Sequence, residues 1–124
     1  MKKALHVKKK WGKMAPKRKR MAQYNLFAPT PHLNNEEHTT TLLSRPSTKI
    51  FHIVSPPHFQ SDLFCQNEDE WVSLLQGEAT LAVEGELHAL KAGDTLLIPA
   101  NTPHQVTDTS EKPLAIWLAV HLYM

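Results

Sequence analysis

The side chains able to do chemistry in this 124-residue chain gather in two short stretches. Glu70 stands two and four residues before Val72 and Leu74. In an extended segment that spacing puts the carboxylate on the apolar face, so it points inward, where it has to be paired, metal-bound or protonated. Phe64 and Gln66 share its parity, whereas Leu63 and Cys65 would need a bulge to reach the same face. Gln66 offers an amide suited to hydrogen bonding in a pocket wall. His104, directly after Pro103, is the second candidate. His121 shares parity with Trp117 and Ala119 near the C-terminus, which leaves open whether it lines a cavity or packs outside one. His58, after Pro57, reads as a surface-loop residue. Cys65 reads as a small buried hydrophobe, since no neighbour is suited to stabilise a thiolate. His32, His38, His52 and His88 show no ligand spacing, and Trp71 and Trp117 read as packing residues on opposed or neighbouring strands.

These residues sit in a series of short β-rich runs. Strands are expected near 39–43, 49–54, 62–66, 70–75, 79–84, 86–90, 95–98, 105–108 and 114–121. The breaks have visible causes: Arg45-Pro46, Pro56-Pro57, Gln76-Gly77, Glu84-Gly85, Ala92-Gly93-Asp94, Pro99 to Pro103, and Glu111-Lys112-Pro113. About nine strands at this spacing predict an all-β sandwich or barrel. The last run, Leu114 to Val120, is apolar at both parities and should be a central strand covered on both faces. Asn34 to Glu37 is expected to start a short helical turn.

Two stretches resemble the paired motifs of the cupin superfamily. The second motif runs Gly, five residues, Pro, one, Gly, two, His, three, Asn. Gly93, Pro99 and His104 match it, and Asn101 and Asp108 depart from it. The first runs His, one, His, three or four, Glu, six, Gly. Glu70 and Gly77 keep their separation, and the register with three intervening residues puts Phe64 and Gln66 where the two histidines would stand. Glu70-Trp71-Val72, Gly93 to Ala100, Trp117 to His121 and Asn25-Leu26-Phe27-Ala28 also look like small single-domain, conserved-barrel cupins. The similarity covers residues 21–124. It implies a single double-stranded β-helix, or jelly-roll, barrel over 49–124, with a short N-terminal arm over 21–48.

In cupins, the two histidines, the glutamate and the later histidine bind one divalent metal inside the barrel. Carried over residue by residue, the resemblance implies a degenerate site of Glu70 and His104, assisted by Gln66 and water. Carboxylate and imidazole suit iron, manganese, zinc or nickel. Gln66 is a weaker donor and Phe64 offers none, so a metal would be held weakly. Cupin folds carry many functions, so the fold alone does not select a reaction. Three functions stay open. The first is a small-molecule-binding cupin with that metal site, in which, if it is an enzyme, a metal would act as a Lewis acid or bind oxygen. The second is a metal-free binding module in which Gln66, Glu70 and His104 hydrogen-bond a polar ligand. The third is a cupin sensor with a nucleic-acid-binding tail.

The charge distribution bears on the third. Residues 1–20 carry ten of the fourteen basic side chains and no acid, while 21–124 hold all twelve acids and a net charge of −8. The first stretch reads as a solvated, disordered leader that could bind nucleic acid by counterion release. It lacks the serines and amphipathic pattern of a transit peptide. It also reads as an upstream extension with Met21 as the working start, and that reading is preferred. An acidic body with an inward glutamate suits a cation or a neutral polar ligand better than a nucleic acid. The longest apolar run has seven residues, too short for a transmembrane helix. The apolar residues near the start are too broken for a Sec signal. One cysteine fits a reducing compartment, so a cytoplasmic protein is expected. A homodimer formed through edge strands or an outer sheet face is expected as well.

Overall fold

The computed structural model of the protein describes residues 22–30 and 32–124. The basic leader at 1–20 and the Met21 start lie outside them. Eight strands follow in order: β1 (His38–Ser44), β2 (Thr48–Ser55), β3 (Asp69–Gln76), β4 (Glu78–Val83), β5 (Glu86–Lys91), β6 (Thr95–Ile98), β7 (His104–Thr109) and β8 (Ala115–Leu122). They form two antiparallel sheets, a five-stranded one in the order β1-β2-β8-β3-β6 and a three-stranded one in the order β5-β4-β7. No helix among the described residues is long and apolar enough to cross a membrane.

β8 lies between β2 and β3, as its two-sided apolar composition requires. Its Trp117 and Ala119 face inward beside Val72 and Leu74 of β3. Across the core they meet Ala79 and Leu81 of β4 and Leu90 of β5, while Ile98 of β6 lies in their own sheet beyond β3; all are nearly inaccessible to water. Each large aliphatic side chain buried there contributes about 1.5–3 kcal/mol before chain entropy is charged against it. Tyr24 and Leu26 of the arm cover the outer face of β2. The Tyr24 hydroxyl and the Leu26 carbonyl lie 3.1 and 2.8 Å from the two ring nitrogens of His52, which is only 5% exposed.

Turn chemistry sets the strand boundaries. Glu84 and Gly85 both take positive φ, 51° and 82°, which gives the primed two-residue hairpin between β4 and β5. Gly77 has φ of 82°, and a Cβ there would stand 2.6 Å from Ser110 Oγ and 2.9 Å from the Leu114 carbonyl, so the β3–β4 corner admits no side chain. Asn101 takes φ of 60° where the second motif has glycine. Asparagine tolerates the left-handed region, which reconciles that departure from the pattern.

Two local expectations fail. Residues 62–66 form no strand; the only ladder contact there is an isolated bridge between Phe64 and His104. The segment is tied to β7 by that bridge, by the Ser61 N–H donating to the Val106 carbonyl at 3.0 Å, and by side chains, with Ser61 Oγ accepting Val106 N–H at 2.9 Å and Gln105 Nε2 donating to the Ser61 carbonyl at 2.7 Å. Cys65 is consequently exposed rather than buried. Residues 34–37 make a bend rather than a helical turn, with Asn35 at φ of 63°.

Candidate functional site

The inward positions of both sheets enclose a cavity of about 200 Å³. Ile53, Val72, Leu81, Ile98, Val106 and Trp117 supply its apolar wall. That is below the roughly 300–1,000 Å³ of common ligand pockets, so an occupant has to be small. The polar groups converge at one end. Strand register explains why: Glu70 of β3 pairs with Ile98 of β6 on one side and His121 of β8 on the other. Val83 of β4 pairs with His104, the first residue of β7, bringing the second sheet to the same end.

Gln66, Glu70 and His104, the three residues singled out in the sequence, come together here. Gln66 Nε2 donates to Glu70 Oε1 at 2.9 Å, and His104 Nε2 stands 3.4 Å from the same oxygen. The Asn101 N–H holds the Gln66 carbonyl at 2.6 Å, fixing the segment that carries the amide. Phe64 also lines the cavity, and its ring stands over His104 at 6.0 Å between centroids. Cys65 and Leu63 do not line it. His58 is an exposed loop residue facing Asp108.

His121, whose orientation the sequence leaves open, faces inward. Its Nδ1 lies 2.9 Å from Glu68 Oε2 and its Nε2 lies 3.6 Å from Glu70 Oε2, with Phe51 packed edge-on against the ring. The signal for it was its shared parity with Trp117 and Ala119. Glu68 and Glu37 gave no sequence signal. Glu68 lies in the bend before β3 and Glu37 directly before β1, both outside the period-2 pattern.

The electrostatics follow from this geometry. Burial alone would push the Glu70 carboxyl up, but the imidazole of His104, the amide of Gln66 and the ring of His121 outweigh it and hold the group below the usual carboxylate range. His104 moves the other way. The Glu70 carboxylate raises it against the opposing effect of burial, and the Thr102 carbonyl, 2.9 Å from Nδ1, adds to the rise. Both ring nitrogens of His104 thus face acceptors, and only the imidazolium can donate at both. For Glu68, burial is outweighed by His121, and the carboxyl is held below its ordinary value. For Glu37, burial dominates and Glu70 adds to it, so that carboxyl is raised although Ser55 donates to it.

The donor set does not fit a metal centre. Among the described residues, no three His, Cys, Asp or Glu side chains are grouped so as to hold an ion. Phe64 and Gln66 stand at the two histidine positions of the first motif. An ionised Glu70 can take only the N–H side of the Gln66 amide, so the amide oxygen is turned away from the carboxylate. The arrangement instead presents a fixed carboxylate, and beside it an imidazole whose charged form that carboxylate favours, at one end of an apolar cavity.

A family model described as Cupin domain matches residues 52–121. No curated protein matches the chain. Among solved structures, a candidate mannose-6-phosphate isomerase from Ralstonia eutropha JMP134 is 32% identical, with a TM-score of 0.77 over 84% of this chain and 100% of that one. An RmlC-like cupin protein from Desulfovibrio desulfuricans is 16% identical, with a TM-score of 0.70 over 85% of this chain and 100% of the other. The cupin domain of Cnp3 from Schizosaccharomyces pombe is also 16% identical, with a TM-score of 0.73 over 85% of this chain and 71% of its own. The latter two similarities concern the fold alone.

Proposed function

The chain belongs to the cupin family, and from that premise we propose that it binds a small polar molecule, neutral or cationic, in the barrel without a metal. The observation that carries this reading is the Glu70 carboxylate. Gln66 and His104 stand at one of its oxygens and His121 at the other, at the wall of an otherwise apolar cavity. Such a site binds by hydrogen bonding and charge, with the apolar wall expelling water around the occupant.

The wall makes the ligand's sign a matter of chemistry. Among the described residues no lysine or arginine lines the cavity, while Glu37 and Glu70 do and Glu68 stands just behind His121. A phosphorylated sugar, the substrate class in the name of the Ralstonia protein, would bring a dianion to imidazoles already paired with carboxylates. Hydroxyl and ammonium groups can donate to those carboxylates instead. Nucleic acid is outside this reading for the same reason of charge.

A metal-dependent version would use Glu70 and His104 with Gln66 and require iron, manganese, zinc or nickel. The donor chemistry above disfavours it, and the test includes it. Chelator-treated protein is expected to gain melting temperature with simple amines and diols, but not with mannose 6-phosphate. Stabilisation only after manganese, iron, zinc or nickel is added would overturn the metal-free reading. We place the protein in the cytoplasm, a reading that its single cysteine supports. We also place a second copy against the outer face of the five-stranded sheet. An apolar row crosses all five strands there, from Leu97 through Trp71, Val120 and Ile50 to Leu43.

A further inference from the structure

Glu37 lines the same cavity as Glu70, yet it comes from the segment before β1 rather than from the barrel strands. It is held by two buried residues in series. Trp117 Nε1 donates to Ser55 Oγ at 2.9 Å, and Ser55 Oγ donates its own proton to Glu37 Oε2 at 2.6 Å. The indole N–H can only donate, so Ser55 accepts from Trp117 and is left with its own proton to donate to the Glu37 carboxylate. Ser55 is 0% exposed and Trp117 4%, so this support is rigid. The other oxygen, Oε1, has no hydrogen-bond partner among the described residues. No buried side-chain oxygen among the described residues is left without a partner, so Oε1 is open to the cavity, where a ligand's donor can replace water on it.

The two carboxylates are supported from different ends of β8. Ser55 pairs with Ala115 and Glu70 pairs with His121, six residues further along. The cavity wall between them is apolar. We propose that Glu37 is a second anchor of the binding site, so that the ligand is a small linear molecule with a hydrogen-bond donor at each end, such as a diamine, an amino alcohol or a diol. This rests on the reading that a polar ligand sits at Glu70. The segment before β1 thereby sets specificity: the Glu70 end recognises any small donor, and Glu37 selects those with two.

Calorimetric titration of the full chain with matched probes tests this. The probes are 1-aminobutane, with one donor end, 1,4-diaminobutane, with two, and succinate, with acceptor ends. The wild type should bind 1,4-diaminobutane more tightly than 1-aminobutane and should not bind succinate. Glu37→Gln and Ser55→Ala should each weaken 1,4-diaminobutane about tenfold, the loss expected for a hydrogen bond to a charged group, and leave 1-aminobutane unchanged. Glu70→Gln should weaken both amines. Melting curves of each variant control for folding, and Glu37→Gln should melt no lower than wild type because it removes a carboxyl that burial disfavours. If both amines bind and Glu37→Gln alters neither affinity, Glu37 is no anchor and the Glu70 reading survives. If neither amine binds the wild type, both fall.

Discussion

His104 is held between two acceptors: its Nδ1 is 2.9 Å from the Thr102 carbonyl and its Nε2 is 3.4 Å from Glu70 Oε1. The side chains of His104 and Glu70 are 7% and 12% exposed, so water screens the pair poorly. The backbone carbonyl fixes which nitrogen carries a proton in the neutral ring, and the carboxylate favours adding the second. The carboxylate and the carbonyl thus favour the charged ring and hold its two N–H directions in place.

Glu70→Gln should break that arrangement from both sides. His104 would keep its burial, which lowers its pKa, and lose the carboxylate that raises it. Histidine NMR titration should therefore show its pKa above 6.5 in the wild type and falling below the wild-type value in the variant. Removing one partner of a buried pair should also cost about 3–5 kcal/mol of stability, readable by urea melting.

The pH dependence of stability follows from the same shifts. Glu70 has a lowered pKa, so its contribution is present above 4.5 and is lost as pH falls through its folded value. His104 has a raised pKa, so its contribution is present below 6.5 and is lost as pH rises through its folded value. Glu37, raised by burial, adds a penalty that grows as pH climbs from 4.5 through its folded value. Melting temperature should therefore decline from mildly acidic towards alkaline pH. Glu37→Gln should flatten the early part of the decline and His104→Gln the later part. A wild-type profile that rises over that range would contradict these assignments.

The metal question has an engineering test. Phe64→His with Gln66→His places imidazoles at the two positions where the first motif has them. The double variant should be stabilised by zinc or manganese, by about 2.7 kcal/mol when the ion is at a hundred times its dissociation constant. Wild type should show no such shift under the same conditions. Equal stabilisation of both would mean that the native side chains already make a metal site.

Gly77→Ala should separate the structural part of the first motif from its chemical part. The new methyl group meets Ser110 and the Leu114 carbonyl at a position with positive φ. Strain and overpacking together should cost about 2–4 kcal/mol. Gly85 also has positive φ but nothing within 4 Å of a Cβ, so Gly85→Ala should cost only about 1–2 kcal/mol. Similar losses at both positions, by urea melting, would show that the tight β3–β4 corner is not what Gly77 serves.

Self-association should depend on the outer apolar row. Leu97 is 56% exposed and stands opposite Trp71 at the β6 edge. Leu97→Lys should convert a dimer to a monomer in sedimentation measurements without lowering the melting temperature of the barrel. A wild-type monomer would remove this interface.

Much of the fold was legible because period-2 alternation and turn residues are local signals. The eight strands of the structure fall where such runs stand, and Gly77, Gly85 and Gly93 mark the corners. Residues 62–66 misled because their alternation is real but serves a segment joined to β7 by one isolated bridge and the Ser61 and Gln105 side chains rather than by a continuous ladder. Cys65 turned out exposed for the same reason. In the site, Glu70, Gln66 and His104 were legible from parity and motif spacing. His121 needed the register that sets it opposite Glu70, and Glu37 needed the long-range bond to Ser55. Neither relation is local in the chain.

The most direct test of the binding reading is an NMR titration of chelator-treated full-length protein with 1-aminobutane, read at the ring signals of His104 and His121. Saturable shifts of both rings in the wild type, lost in Glu70→Gln and unchanged when zinc or manganese is added, are the expected result. No saturable shift without metal, or shifts that persist in Glu70→Gln, would contradict a metal-free site built on Glu70.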